Sequence, residues 1–273
     1  MLRLHPTAKK FTQTYAQSLP HALLVVGRQG NGLFTFANHL ATQSGTILTI
    51  VSPIQKTSTS VPLIPVERIR ELYNETKAQL RSPHFVIIDD ADAMNAAAQN
   101  ALLKLLEEPN DSIHFILTSH KPDVLLPTIR SRSQRFDVPA ISELDSKKLL
   151  TSLGVTDELD IKRLLYIASG QPAELARLTS NKKTFKELSE QVAIARQFIE
   201  GDTYQRIVLV QSLKDDRAGA IKLIELILLL LRRSLRSSSG SSSVKLISNL
   251  VDASEAIRAN GNIRIQLMRA VVQ

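Results

Sequence analysis

Short apolar runs alternate with segments of helical periodicity through the first half of the chain, and this alternation restricts the fold more than any other feature. Two of the runs, 85–89 and 114–119, are apolar for most of their length, which is typical of strands buried on both faces of a sheet. Strands that alternate with helices form parallel α/β sheets. The sequence therefore predicts an α/β domain with a parallel sheet and strands at 22–26, 46–51, 85–89 and 114–119.

Three segments beside these runs have the apolar spacing of amphipathic helices. They cover residues 33–42, 66–80 and 96–108. Asn95 is placed to cap the third helix and Pro109 to end it, whereas the polar, proline-bearing segment 52–64 predicts a loop. The apolar stripe of the second helix consists of Ile69, Leu72, Tyr73 and Thr76, and that of the third consists of Ala98, Leu102, Leu105 and Leu106.

Beyond Val138-Pro139 the strand-like runs stop and the pattern is helical. Breaks are predicted at Gly154, at 170–172 and near 181–183, and the serine-rich segment 234–243 predicts a flexible loop between two helices. We therefore expect three domains: an α/β domain at 1–138, a small helical domain at 139–183 and a helical domain at 184–273. The last contains an apolar helix that is either ordinary core or an association surface, formed by Leu223, Leu226, Ile227, Leu230 and Leu231.

Composition excludes several classes of protein. The chain has no cysteine, which excludes disulfides, thiolate zinc sites and cysteine nucleophiles, and its scattered histidines predict no metal site. The N-terminus lacks a secretory signal pattern, and the most apolar stretch, from Ile221, is too short to span a bilayer and contains Lys222 and Glu225. We therefore expect a cytoplasmic protein without a membrane partner. Its net charge of +8 indicates either a polyanionic partner or only a basic soluble protein.

A glycine-rich stretch follows the first predicted strand. Gly27 and Gly32 occupy the glycine positions of the phosphate-binding pattern G-x-x-x-x-G-K-[ST], and Gly30 lies between them. Leu33 and Phe34 stand where the pattern has a lysine, which contacts the β- and γ-phosphates, and a hydroxyl residue, which holds Mg²⁺. The stretch is either a degenerate nucleotide loop or only a tight turn between strand and helix.

Charged residues follow two of the other predicted strands. Asp89 and Asp90 end an apolar strand, as the acidic motif of a P-loop ATPase does, although they could equally solvate the strand end and cap a helix. Arg130, Arg132 and Arg135 lie close together after the strand that ends near Ser119. Such arginines either form a solvated basic surface or include one that stabilises charge at a neighbouring subunit's nucleotide.

The run from Asp89 to Phe136, DDADAMNAAAQNALLKLLEEPNDSIHFILTSHKPDVLLPTIRSRSQRF, closely resembles the bacterial sliding-clamp loader subunits of DNA polymerase III, the gamma/tau and delta-prime group. The resemblance extends back through PHALLVVGRQGNG and VERIRELYNETKAQ and covers most of residues 20–138; RANGNIRIQLMRAVV near the C-terminus is similar to the family's last collar helix. It implies an AAA+ fold: an α/β nucleotide-binding domain, a small helical lid and an all-α collar that assembles subunits.

The resemblance also implies roles for single residues. Arg132 aligns with the arginine finger of the family's Ser-Arg-Cys motif, with Ser133 replacing the cysteine, and Ala173 stands where hydrolysing members carry a lid arginine. The altered loop and this alanine favour the non-hydrolysing delta-prime branch. Gly27, Gly30, Gly32, Asp89 and Asp90 would then be vestigial, and ATP would be bound by neighbouring subunits only. The family's four-cysteine zinc module is absent, and 52–64 is the predicted site of its deletion.

Three functions remain open at this point. The first is a clamp-loader subunit that assembles with gamma/tau and delta subunits, acts on the sliding clamp at primer–template DNA, and supplies Arg132 to a neighbour's ATPase site. The second is an active ATPase motor of the gamma/tau type with an unusual loop. The third is a DNA-binding adaptor outside any clamp loader, which the positive charge would suit.

Overall fold

The computed structural model describes residues 5–55, 62–76, 81–107, 110–213, 216–234 and 241–272. By contact the chain divides into two compact units, Met1–Ser180 and Asn181–Gln273. The finer division into three domains, with boundaries near 138 and 183, stays a prediction.

A five-stranded sheet, in which every pair of neighbouring strands is parallel, forms the centre of the first unit. Its strands are β1 (Ala22–Val26), β2 (Thr46–Val51), β3 (His84–Ile88), β4 (Ile113–Ser119) and β5 (Gln134–Asp137). The strand order is β2-β3-β4-β1-β5. β1 is therefore paired with β4 on one side and with β5, an edge strand, on the other. The ends of β1 and β4 coincide, because Val26 is in register with Ser119. The predicted parallel α/β sheet is confirmed.

Helices cover both faces of this sheet, namely α1 (Pro6–Gln17), α2 (Leu33–Ser44), α3 (Val66–Glu75), α4 (Ala96–Glu107) and α5 (Pro127–Arg132). Alternate side chains of β1 separate into two cores: Leu23 and Val25 join the cluster of α1 and α2, whereas Leu24 and Val26 join that of α3, α4 and α5. Alternation of this kind is what a strand buried on both faces requires.

The α4 helix forms as its sequence predicts. Asn95 Oδ1 accepts a hydrogen bond from Ala98 N at 2.9 Å, which satisfies one of the free donors of the first turn. The predicted apolar face of the helix is buried at all four positions, Ala98, Leu102, Leu105 and Leu106. The predicted C-terminal stop at Pro109 lies outside the described residues, as does Glu108.

The structure differs from the sequence-based expectations at several edges of the first unit. β2 is an edge strand whose side chains are mostly partly exposed, so its apolar run does not mark a strand covered on both faces. β5 and α1 were not predicted: β5 is four residues long and mostly polar, and its pairing with β1 forms it. Tyr73 is 43% exposed although its stripe partners Ile69, Leu72 and Thr76 are buried, because it lies at the margin of that stripe.

Several predicted segments lie partly outside the described residues. Residues 56–61 of the predicted loop at 52–64 do so, while Ile54 and Leu63 on either side form an antiparallel bridge. Residues 77–80, where the second helix was predicted to continue, and 235–240 of the predicted serine-rich loop are likewise outside. Residues 241–243 of that loop are helical in the structure.

Three short helices complete the first unit. They are α6 (Glu143–Ser152), α7 (Glu158–Ala168) and α8 (Pro172–Ser180). The predicted breaks at Gly154 and Gly170 are confirmed, and both glycines have positive φ, of 84° and 83°, a conformation that costs residues with a Cβ atom energy. Side chains cap the starts of two helices, Ser142 by accepting from Asp145 N and Asp157 by accepting from Leu159 N and Asp160 N.

The second unit is helical throughout its described residues. The predicted apolar helix is part of its core, since Ile227, Leu230 and Leu231 are buried while Leu223 and Leu226 are partly exposed. The guanidinium of Arg206 donates to the Phe198 and Ile199 carbonyls at 2.8 and 3.0 Å and so caps the end of the helix Lys182–Glu200. The helices are α9 (Lys182–Glu200), α10 (Thr203–Ser212), α11 (Arg217–Ser234), α12 (Ser241–Arg258) and α13 (Ile263–Val272).

Candidate functional site

The glycine loop joins β1 to α2 at the carboxyl edge of the sheet. Gly30 and Gly32 have φ of 83° and 79°, in the left-handed region where a Cβ atom is strained. Gly32 is the N-cap residue of α2, and its carbonyl accepts a hydrogen bond from Phe36 N at 2.9 Å. β1 lies between β4 and β5, where the strand order reverses, and parallel sheets bind ligands at such a point. Gly30 and Gly32 thus form the tight turn between β1 and α2.

The two positions after the loop carry no phosphate or metal ligand. Leu33 is 2% exposed and packs into the core on the α1–α2 face of the sheet. Its Cδ2 lies 2.8 Å from where a Cβ atom would stand on Gly27, so the leucine is folded back over the start of the loop. Phe34 is 37% exposed. The amide groups at the start of α2 are therefore without the cation and the hydroxyl that normally accompany them.

The N-terminus of α8 is bound to the loop through backbone groups. Ala173 N and Glu174 N donate to the Gly30 carbonyl at 3.0 and 3.4 Å. The approach is close: a Cβ atom on Gly30 would lie 3.0 Å from Glu174 Cβ, and one on Gly32 would lie 3.3 Å from Ala173 Cβ. Two of the donors that a helix N-terminus offers to an anion are therefore already used within the protein.

The acidic end of β3 is held by the end of β4. Thr118 is fully buried; its Oγ1 donates to Asp89 Oδ1 at 2.7 Å and accepts from Asp90 N at 2.9 Å. Asp90 itself has φ 48°, in the left-handed region that Asp and Asn tolerate better than other residues. Asp89 and Asp90 are thus held at the end of β4, which lies between β3 and the strand that leads into the glycine loop.

His120 connects the acidic residues with the glycine loop. Its Nδ1 lies 2.8 Å from the Gly27 carbonyl and its Nε2 lies 3.4 Å from Asp90 Oδ1. A carbonyl only accepts, so Nδ1 carries a proton in this arrangement. The backbone N of His120 also donates to Asp92 Oδ1 at 3.0 Å. The imidazole is therefore a direct bridge between the loop and the end of β3.

The surroundings of Asp90 disfavour its charge. Burial is the largest cause that raises the pKa of this carboxyl above its usual value, and the negative charges of Asp89 and Asp92 act in the same direction. His120 opposes them. A raised pKa at a cleft is a common property of functional sites, although ordinary networks of charges produce it too.

The three clustered arginines each pair with a carboxylate of the same unit. Arg130 contacts Asp123 at 3.0 Å, and Arg135 donates twice to Asp137, at 2.9 and 2.7 Å. Arg132 lies at the last residue of α5, with its Nη2 3.0 Å from Glu107 Oε1. The polar partners that the structure gives Arg132 thus belong to α4 and α5 and not to the glycine loop.

Gln99 joins α4 to the segment that begins α5. Its Nε2 donates to the Met94 and Val124 carbonyls at 3.1 and 3.3 Å, and its Oε1 accepts from Leu126 N at 2.7 Å. The side chain is 3% exposed, so these are buried hydrogen bonds. The Gln99 amide thereby holds the segment that follows β3 and the segment that precedes α5.

The structure brings together the predicted glycines and the two predicted aspartates, through His120, and places Arg132 on a separate helix. The sequence interpretation missed Thr118, His120, Gln99 and Glu107. For two of them a signal exists, since the run Thr118-Ser119-His120 makes the carboxyl end of an apolar strand polar, and such ends carry sites in parallel sheets. Gln99 and Glu107 give no comparable signal.

Known proteins resemble this chain mainly in the region that contains these features. The family described as DNA polymerase III, delta subunit, matches residues 46–142. DNA polymerase III subunit delta' of Pseudomonas aeruginosa is 36% identical over 118 residues, 42% of this chain and 36% of that protein; that of Bacillus subtilis is 30% identical over 128 residues, 47% and 38%. DNA polymerase III subunit gamma/tau of Mycobacterium bovis is 33% identical over 86 residues, 32% and 14%. The matches to the first curated relatives thus span at most 38% of their length.

Solved structures agree on the fold. A gamma-subunit-related protein of Thermotoga maritima superimposes with a TM-score of 0.54 and 18% identity over 97% of both chains. The RuvB Holliday junction branch migration motor of the same organism gives 0.51 and 16%, over 83% of this chain and 76% of the other. These neighbours are AAA+ proteins. The chain therefore has the AAA+ fold, and the part of it that includes residues 46–142 is similar in sequence to DNA polymerase III clamp-loader subunits.

Proposed function

We propose that this protein is a delta-prime-type subunit of a bacterial clamp loader, which supports loading of the sliding clamp onto primed DNA without hydrolysing ATP itself. The observation that carries the proposal is the inward-folded Leu33 at the start of α2, where a motor subunit needs its lysine. The matches to delta' relatives support the same assignment. Relatives of the gamma/tau type also match, so the loop is what separates the two subunit types here.

The loss of the loop lysine is large enough to matter. A hydrogen bond to a charged group contributes about 1.5–3 kcal/mol, so its absence weakens triphosphate binding about 10- to 150-fold. The missing hydroxyl removes a ligand of Mg²⁺ as well. Asp89 and Asp90 remain after β3, but Leu33 and Phe34 supply neither a cation for the phosphates nor a hydroxyl for Mg²⁺. ATP is thus assigned to the neighbouring subunits.

Arg132 is the residue through which this subunit would act on such a neighbour. Its side chain is 40% exposed at the end of a short helix, so the guanidinium is accessible from outside the unit. A planar guanidinium binds two phosphate oxygens at once and stays charged at all physiological pH values. Supplied across a subunit boundary, it stabilises the charge that develops on the transferred phosphoryl group.

The partners that follow from this role are gamma/tau and delta subunits, the sliding clamp and primer–template DNA. The net charge of +8 suits an assembly that surrounds DNA. In the parts of the chain that the structure describes, no helix has both the length and the apolar character needed to cross a membrane. A second role as a DNA-binding adaptor outside the clamp loader has only the net charge in its favour.

The test is hydrolysis by a clamp loader reconstituted with Arg132→Ala. With clamp and primed DNA present, single-turnover hydrolysis should lose one phase, because the site that lacks its arginine slows about 10³-fold or more. Arg135→Ala, which removes a nearby exposed arginine paired with Asp137, should leave every phase in place.

Two results would overturn the proposal. Unchanged hydrolysis with Arg132→Ala would remove the arginine role. ATP hydrolysis by the isolated chain that is lost with Asp89→Ala would show an active motor instead. Salt-sensitive DNA binding by the isolated chain, combined with no association with gamma/tau or delta subunits, would favour the adaptor.

A further inference from the structure

The guanidinium of Arg132 is not free in the isolated subunit. Its Nη2 contacts Glu107 Oε1 at 3.0 Å, and its Nη1 donates weakly to the Thr128 carbonyl at 3.4 Å. The side chains of Arg132 and Glu107 are 40% and 48% exposed, so the pair lies at the surface, where another molecule can reach it. The contact leaves donors of the guanidinium for a second acceptor.

The partner of Arg132 differs in origin from the partners of the arginines beside it. Asp137 lies two residues after Arg135 on the same strand, and Asp123 lies in the turn that leads into the helix of Arg130. Glu107, in contrast, comes from a separate helix, α4, of which it is the last described residue. The pair therefore fixes the end of α5 relative to the end of α4.

Glu107 is attached to a well-anchored part of α4. The residues before it, Leu105 and Leu106, are 6% and 5% exposed and belong to the core. His21 Nε2 lies 3.3 Å from the Leu105 carbonyl, a hydrogen bond that ties the last turn of the helix to the start of β1. At the other end of α4, Gln99 holds the chain that begins α5. Both ends of α5 are thus braced by one helix.

We propose that Glu107 is a positioning residue for Arg132: it accepts from one N–H group of Nη2 and so orients the guanidinium, whose remaining N–H groups donate to the phosphate of a neighbouring subunit. The inference rests on the proposed function, since it assumes that Arg132 acts across the subunit boundary. An arginine has several rotatable bonds, and an oriented guanidinium loses less conformational freedom when it binds. The carboxylate therefore raises the rate of the neighbour's reaction without touching the nucleotide.

The experiment compares Glu107→Ala and Glu107→Gln in the reconstituted clamp loader. We expect Glu107→Ala to slow the hydrolysis phase that depends on Arg132 about two- to five-fold, the range of an exposed ion pair. The ATP concentration that gives half of the maximal rate should not change, because the contact acts in the transition state. Glu107→Gln keeps an accepting oxygen and should fall between wild type and Glu107→Ala.

Asp123→Asn is the matched control, because it removes the carboxylate of the neighbouring exposed pair with Arg130. It should leave the rate unchanged. The thermal midpoint of each variant subunit and the yield of assembled complex separate positioning from folding, since a structural role would lower both in Glu107→Gln as well as in Glu107→Ala.

A double-mutant cycle with Arg132→Ala completes the test. We expect no further loss when Glu107→Ala is added to Arg132→Ala, because the residue acts through the arginine. An additional loss, an unchanged rate or a faster rate in Glu107→Ala would each overturn the positioning role while leaving the arginine role intact. No effect of Arg132→Ala alone would instead overturn the proposed function on which the inference rests.

Discussion

At the scale of single residues, Asp90 combines two unfavourable features at the carboxyl edge of the sheet. It has a positive φ, and burial together with Asp89 and Asp92 raises the pKa of its carboxyl. The folded state therefore holds this proton to a higher pH than the unfolded state does. As the pH rises through this window, the unfolded state loses its proton first, and the charged carboxylate then costs the folded protein stability.

Replacing Asp90 with asparagine should therefore stabilise the protein near pH 7. Asparagine tolerates the same backbone conformation and removes the repulsion from Asp89 and Asp92, although it also loses the attraction to His120. Because the side chain is 44% exposed, we expect a gain of less than about 1 kcal/mol in the free energy of unfolding. Urea denaturation at pH 7 and near pH 4 measures it.

The gain should shrink at the lower pH, where wild-type Asp90 takes up its proton. Asp123→Asn serves as the control, because the side chain of Asp123 is 91% exposed and pairs only with Arg130 among the described contacts. A variant Asp90→Asn that is less stable than wild type at pH 7 would show that the His120 contact outweighs the repulsion.

At the scale of elements, the docking of α8 on the glycine loop depends on how closely two backbones approach. Gly30 accepts from the first turn of α8, and a Cβ atom there would lie 3.0 Å from Glu174 Cβ and 3.2 Å from Gln171 Cβ. Gly154, between α6 and α7, has nearly the same φ but nothing within 4 Å of a Cβ atom. Comparing alanine substitutions at Gly30 and Gly154 therefore separates the effect of backbone strain from the effect of losing the contact with α8.

Gly30→Ala should destabilise the protein more than Gly154→Ala does. Both variants pay the cost of a positive φ, about 1 kcal/mol, and Gly30→Ala adds the cost of crowding, about 1–3 kcal/mol. Urea denaturation gives the two free energies. Hydrogen exchange of the Ala173 and Glu174 amides should accelerate only in Gly30→Ala; equal losses of stability and unchanged exchange would mean that the loop does not hold α8.

The elements differ in how far their sequences determine them. β1, β3 and β4 are predictable because runs that are apolar for all or most of their length are typical of strands covered on both faces. β5, with the polar sequence QRFD, exists because β1 offers it an edge, which no local pattern indicates. The same holds for the site: Gly27, Asp89 and Arg132 follow from motifs, whereas the pair of Glu107 with Arg132 depends on how α4 and α5 pack.

At the scale of the whole molecule, several groups of the first unit pack against the glycine loop. Leu33 is packed in the core, and the first turn of α8 donates to the Gly30 carbonyl. Ala173 presents a methyl group beside Gly32, at a position where hydrolysing family members are expected to carry an arginine. The glycine loop is thus in contact with the start of α8.

Magnesium ATP at about 1 mM should therefore shift the thermal midpoint of the isolated protein by no more than about 1 °C. A dissociation constant near or above that concentration contributes less than about 0.5 kcal/mol through mass action. Sodium sulfate at matched ionic strength controls for general salt effects on stability. A shift of several degrees that saturates at micromolar ATP would contradict the proposed loss of nucleotide binding.

The hydrogen bonds from Ala173 and Glu174 to Gly30 join peptide groups and use no side-chain atom. Truncating the side chains of α8 one by one would therefore leave both donors in place, and such a survey would pass over the attachment altogether. Among the natural amino acids only proline deletes an amide hydrogen, and the first turn of a helix accepts it. Ala173→Pro, directly after Pro172, would therefore remove one of these two hydrogen bonds without removing any charge.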